Sequence, residues 1–124
     1  ISAAELSALI NQLNASPLTG FDTETDGLEP MRSQLVGLSF AFANEAVYVP
    51  VAHRYPDAPE QLGVHAALDL LKPWLESATH LKVGQNLKFD AHILANHGVT
   101  LAGIAHDTLL ESYVYEGHEV IRLE

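Results

Sequence analysis

Apolar residues recur at helical spacing at Leu6, Leu9, Ile10 and Leu13. They follow a Ser2-Ala3-Ala4-Glu5 box, in which the serine hydroxyl and the glutamate three positions later satisfy each other's free backbone amides. The spacing predicts a helix over about residues 3–14. Pro17 and turn formers end it, and Gly20-Phe21-Asp22-Thr23-Glu24 then reads as a short strand running into a loop at the breakers Asp26, Gly27 and Pro30. Residues 34–43 and 46–51, rich in Leu, Val, Phe and Tyr, predict two strands joined near Asn44-Glu45 as a hairpin. A loop over 53–59 with two prolines leads to the stripe Val64, Leu68, Leu71, Trp74 and Leu75, a helix that holds Pro73 near its end. A fourth strand is predicted over 80–84, and Asn86 is placed to cap a helix carrying Phe89, Ile93 and Leu94 until Gly98 stops it. Asp107 is expected to open a last helix reaching about residue 115. This order predicts an α/β fold, a mixed sheet with helices on its faces.

At 124 residues the chain is the size of one domain, and 48% hydrophobic with 18% charged residues is a globular composition. The absence of cysteine excludes a disulfide framework, a thiolate zinc site and a cysteine nucleophile. No apolar run approaches the ~18–20 residues of a membrane span, and the first ten residues lack the basic flank of a signal peptide. A soluble, cytoplasmic protein without a membrane partner is therefore expected. Sixteen acidic residues against six basic ones give a net charge of −10, which argues against binding nucleic acid by charge alone. Carboxylates suit divalent cations, however, and a bound metal inverts the local electrostatics of a site that must accept phosphate.

Two segments carry candidate chemistry. Asp22 and Glu24 are two apart and project from the same face of a strand, an arrangement that suits a cation between them. From spacing alone they read more readily as solvated strand-end residues. Asp90 lies in the first turns of a helix, where an acid is favoured by the macrodipole alone, yet a strand end followed by a helix is also where α/β folds build sites. Convergence of Asp90 with Asp22 and Glu24 would make a metal-binding acidic cluster. Among the histidines, His92 and His97 are five apart and so about 140° apart around a helix, too far to share an ion, and the others read as loop or surface residues. No glycine-rich phosphate loop and no G-x-S-x-G elbow is present. An aspartyl-nucleophile phosphatase would want a second Asp where Glu24 stands.

Phe21-Asp22-Thr23-Glu24-Thr25-Asp26-Gly27-Leu28 and Val83-Gly84-Gln85-Asn86-Leu87-Lys88-Phe89-Asp90 closely resemble the first and second motifs of the 3′ to 5′ proofreading exonuclease family of bacterial DNA polymerase I. The likeness continues, in the family's order, through Leu35-Val36-Gly37-Leu38-Ser39-Phe40, Val49-Pro50-Val51-Ala52-His53, Leu70-Leu71-Lys72-Pro73 and Asp107-Thr108-Leu109-Leu110-Glu111-Ser112-Tyr113. The resemblance implies a ribonuclease-H-like mixed sheet flanked by helices, and a two-metal nuclease removing nucleotides from a DNA 3′ end. It implies Mg²⁺ or Mn²⁺ as cofactor, with Zn²⁺ also compatible. By the same resemblance Asp22 would bridge both ions, Glu24 would bind one beside the attacking water, and Asp90 would hold the other, largely through water. Leu28 would wedge against the terminal base; Gln85, Asn86 and Phe89 would line the substrate groove, Phe89 replacing a tyrosine common among relatives; Thr25 would be a weaker contact.

The family's third motif, a tyrosine followed four positions later by an aspartate, has no match here; Tyr115 and Glu119 stand at that spacing with the wrong acid, which reads as coincidence. The expected organisation is a partial exonuclease domain over 1–115, its C-terminal part missing, and a tail over 116–124 that does not resemble the family and is compatible with a tag remnant. Weak or no activity of the isolated chain is expected. Expected partners are a single-stranded DNA 3′ end, the polymerase domain of a parent protein and a second copy of the chain through apolar surface. The rival readings are a non-catalytic scaffold domain of a polymerase and an RNA-processing exonuclease of the same superfamily, which differ in contacts with the sugar 2′ position.

Overall fold

A computed structural model describes residues 2–27, 34–43, 45–52 and 63–107. The helix α1 (Ala3–Ala15) begins with the expected reciprocal box: the Ser2 hydroxyl accepts from the Glu5 amide at 3.1 Å, and the Glu5 carboxylate accepts from the Ser2 amide at 3.3 Å. Its buried stripe is Leu6, Leu9 and Leu13. Strand β1 (Leu18–Thr25) is longer than the sequence suggests, because parallel pairing of Leu18, Thr19 and Gly20 with the fourth strand recruits residues that look like turn. Strands β2 (Leu35–Phe42) and β3 (Glu45–Pro50) form the predicted hairpin, with Ala43 in the left-handed region at φ 52°.

Helix α2 (Val64–Leu75) tolerates Pro73 in its last turn and buries Ala67, Leu68, Leu71, Trp74 and Leu75. Strand β4 (Leu81–Gly84) leads to α3 (Leu87–Ala95), and β5 (Ile104–Asp107) follows. The sheet order is β3-β2-β1-β4-β5; β1, β4 and β5 are parallel, while β2 runs antiparallel to both of its neighbours.

Two expectations need correction. A fifth strand was not expected: Asp107 is the last residue of β5, paired with Gly84 of β4. The sequence hides this strand because four residues, Ile-Ala-His-Asp, show no sustained alternation. The rest of the helix expected to reach residue 115 lies outside the described residues, as does the loop over 53–59. Asn86 stands at the N-cap of α3 as expected, but its side chain makes no capping hydrogen bond; its backbone is left-handed at φ 62°, ψ 51°, a conformation asparagine tolerates better than most residues.

Strand alternation divides the sheet into two unlike faces. Phe21 of β1, Phe40 of β2 and Trp74 of α2 meet with ring centroids 5.5–6.1 Å apart, and α1 and α2 complete the core on that side. On the opposite face the cross-strand rows are Asp22–Ser39–Tyr48 and Glu24–Gly37–Pro50. Asp22 and Ser39 there are half-buried, and Glu24 and Tyr48 are exposed. Among the described residues no helix is long and apolar enough to cross a membrane.

Candidate active site

Strand β1 runs past the end of β4: its parallel partners stop at Gly20↔Val83, so Thr23 has no strand beside it on that edge. The start of α3 fills the gap. Asp90, only 2% exposed, accepts at Oδ1 from the Thr23 amide at 3.0 Å and from the Thr23 hydroxyl through a second, short hydrogen bond. A carboxylate thus takes the place of a missing strand. Gly84 makes the turn into α3 tight enough for this, since a Cβ there would sit 2.5 Å from the Phe21 carbonyl and 2.8 Å from the Leu87 side chain.

The flanking residues of Thr23 are Asp22 and Glu24, whose side chains leave the other face of the strand. The structure therefore brings the two motifs together at one stretch of β1. It does not close the three acids into one group: among the described residues, no three His, Asp or Glu side chains are placed to hold a common metal ion. Thr23 holds Asp90 on the core side, while Asp22 and Glu24 stand on the open side. By donor type the set still fits a hard divalent cation, being carboxylate oxygen throughout.

The remaining candidates have distinct placements. Thr25 donates its hydroxyl to the Gly27 carbonyl at 2.6 Å. Asp26 closes a bridge to Gln34, accepting from the Gln34 amide at Oδ1 (2.7 Å) while its own amide donates to the Gln34 carbonyl (3.1 Å). That bridge brackets the segment carrying Leu28, which lies outside the described residues. Gln85 is half-buried and Asn86 exposed at the β4–α3 turn; Phe89, half-buried, packs against the core.

Sequence reasoning overlooked Lys82 and Thr23. Lys82 is fully buried on β4, and its ammonium donates to the carbonyls of Trp74 (2.7 Å), His80 (2.7 Å) and Ser77 (3.1 Å) while lying 4.4 Å from the Trp74 ring centre. Burial pulls its pKa down from the ordinary 10.5 to about 8. A lysine inside a strand is the available signal. His97 faces not His92 but His65 of α2, at 6.4 Å between ring centres, and its pKa is lowered by desolvation and then by the charge of His65.

The sequence and the fold place the chain among known proteins. Residues 2–121 match the family model described as 3′-5′ exonuclease. The chain belongs to this exonuclease family. A DNA polymerase I of Pseudomonas aeruginosa is 42% identical over the whole chain, and that of Synechocystis is 39% identical over 97% of it. The chain spans 16% and 13% of those two relatives, so in each the matching exonuclease segment is part of a much larger protein. Among solved structures, the POL domain of Pol1 from M. smegmatis in complex with DNA primer-template and dNTP superposes with a TM-score of 0.69 at 21% identity, covering 92% of this chain and 18% of that one. Escherichia coli RNase D, an exoribonuclease involved in structured RNA processing, gives 0.65 at 16% identity over 96% of this chain and 28% of its own. At such identities the structures speak for the fold, an α/β ribonuclease-H-like mixed sheet, as the motifs imply. Membership makes a nuclease the kind of enzyme to which this exonuclease domain belongs.

Proposed function

We propose that the chain is the proofreading part of a family A DNA polymerase and hydrolyses nucleotides from the 3′ end of single-stranded DNA. The observation that supports this best is the Thr23–Asp90 junction, which joins the acid of one motif to the strand carrying the two acids of the other. Asp22, Glu24 and Asp90 are the residues that would hold two divalent ions, Mg²⁺ or Mn²⁺, with Zn²⁺ also compatible. When bound, such ions lower the pKa of a water and neutralise charge on the phosphate under attack. The chain's own contribution is positional: Thr23 fixes Asp90, and pairing of β1 with β2 fixes Asp22 and Glu24 on one face. Gln85, Asn86 and Phe89, with Thr25 and Leu28, would receive the terminal nucleotides.

The partners in this reading are a DNA 3′ end and the polymerase portion of a longer protein, in a bacterial cytoplasm near the nucleoid. A second copy is also a partner in this reading, through apolar surface such as Leu18, Leu81 and Ile104, which are exposed near one end of the parallel strands. The test uses single-stranded DNA labelled at its 5′ end, with the chain in excess because slow turnover is expected. Stepwise loss from the 3′ end with Mn²⁺, abolished by chelator and by Asp22→Ala, is the expected result. No shortening by the folded chain above the Asp22→Ala background would overturn catalysis by this chain and favour the scaffold reading.

A further inference from the structure

Tyr48 sits on β3, two strands from β1, and is 40% exposed. Its row partner is Ser39, and beyond Ser39 lies Asp22. The ring does not stay in that row. It leans diagonally across Gly37, the partner of Glu24: a Cβ added at Gly37 would lie 1.8 Å from the phenolic oxygen, 2.3 Å from Cζ and 2.6 Å from Cε1. The hydroxyl therefore occupies the space that a side chain at Gly37 would need. That places it on the acidic face, one strand spacing, about 4.8 Å, from the backbone of the strand bearing Asp22 and Glu24. Diagonal neighbours in a sheet are within reach of aromatic side chains. The glycine is required here for space, with no unusual backbone angle involved.

Resting on the exonuclease reading above, we propose that Tyr48 is a positioning residue: its hydroxyl orients the Asp22–Glu24 carboxylate pair for divalent-cation binding, and Gly37 exists to let it through. A phenol donating to a carboxylate forms a charge-assisted hydrogen bond, and groups that orient a metal's carboxylate ligands typically influence affinity 10–100-fold. The side chain itself touches neither substrate nor reacting atoms in this role.

The test reads Mn²⁺ binding to the chain by electron paramagnetic resonance, without DNA, beside single-turnover DNA hydrolysis. Tyr48→Phe keeps the ring and is expected to weaken Mn²⁺ binding about tenfold and slow hydrolysis at subsaturating Mn²⁺. Excess Mn²⁺ is expected to restore much of that rate, which a general loss of folding would not allow. Gly37→Ala should reproduce the loss by displacing the phenol, and should add nothing in a Tyr48→Ala background, where nothing is left to displace. Wild-type binding with an unchanged Tyr48→Phe affinity would overturn the proposal alone. Wild-type protein that binds no Mn²⁺ would overturn it together with the nuclease reading.

Discussion

Lys82 and Asp90 are the two charged side chains buried among the described residues, and they lie at opposite corners of the same short βα unit. Lys82 closes the bottom of the sheet. Its three carbonyl partners all come from the end of α2 and the turn after it, a region of partial negative charge, so its position is explained by the fold it holds together. Asp90 sits at the top, where β4 ends and β1 continues alone, and accepts from the amide and the hydroxyl of Thr23. The first charge belongs to a helix end; the second belongs to a strand edge beside two more acids. Burial alone does not mark a functional residue. What distinguishes the two is what they are held to: Lys82 is held by carbonyls at a helix end, whereas Asp90 is held to the strand that carries two more acids.

Removing the support of each side chain should separate the two corners most. Lys82→Ala leaves a cavity and three carbonyls without their donor, so a loss of about 2–4 kcal/mol in unfolding free energy is expected from denaturant titration. The rate per folded molecule should be little changed. Thr23→Val removes the hydroxyl but keeps the shape and the amide donor; stability should fall by about 1.5–3 kcal/mol and Mn²⁺-dependent hydrolysis by roughly 10–100-fold. Equal effects of the two substitutions on rate per folded molecule would erase the distinction between the corners.

The pH dependence sharpens it further. The folded pKa of Lys82, about 8, lies below the ordinary 10.5, so between these values the unfolded chain binds more protons and stability should rise with pH. Denaturation at pH 7.5 and pH 10 measures that slope, and Lys82→Met should flatten it. A smaller effect is expected where α2 meets the turn after α3. The pKa of His97 is depressed, so stability should decline as pH falls below about 6.5, and His65→Gln should remove the part of that decline due to charge repulsion.

Much of this was legible in the sequence because local signals agreed with the fold. The capping box, the hairpin and the α2 stripe each rest on residues close in sequence, and each formed with boundaries shifted by no more than about two residues. Strand β5 was not legible: its pairing with β4 is non-local, and four residues carry too little pattern. For the site, Asp22 and Glu24 were correctly placed on one strand face by alternation. The Thr23 anchor depends on contact across 67 positions, and the carbonyl cage around Lys82 on where a helix happens to end. Spacing does not encode such contacts.

The assignment of Asp90 to the chemistry and of Lys82 to the scaffold separates the two buried charges. Its most direct test compares Asp90→Asn with Lys82→Met in metal-dependent shortening of single-stranded DNA from the 3′ end, each rate normalised to folded protein. Asparagine keeps the size of the side chain and an oxygen to accept from Thr23, but removes the charge. Asp90→Asn is expected to lose at least about 100-fold while Lys82→Met stays within a few-fold of the wild-type rate. Retained activity in Asp90→Asn, or an equal loss in both, would contradict it.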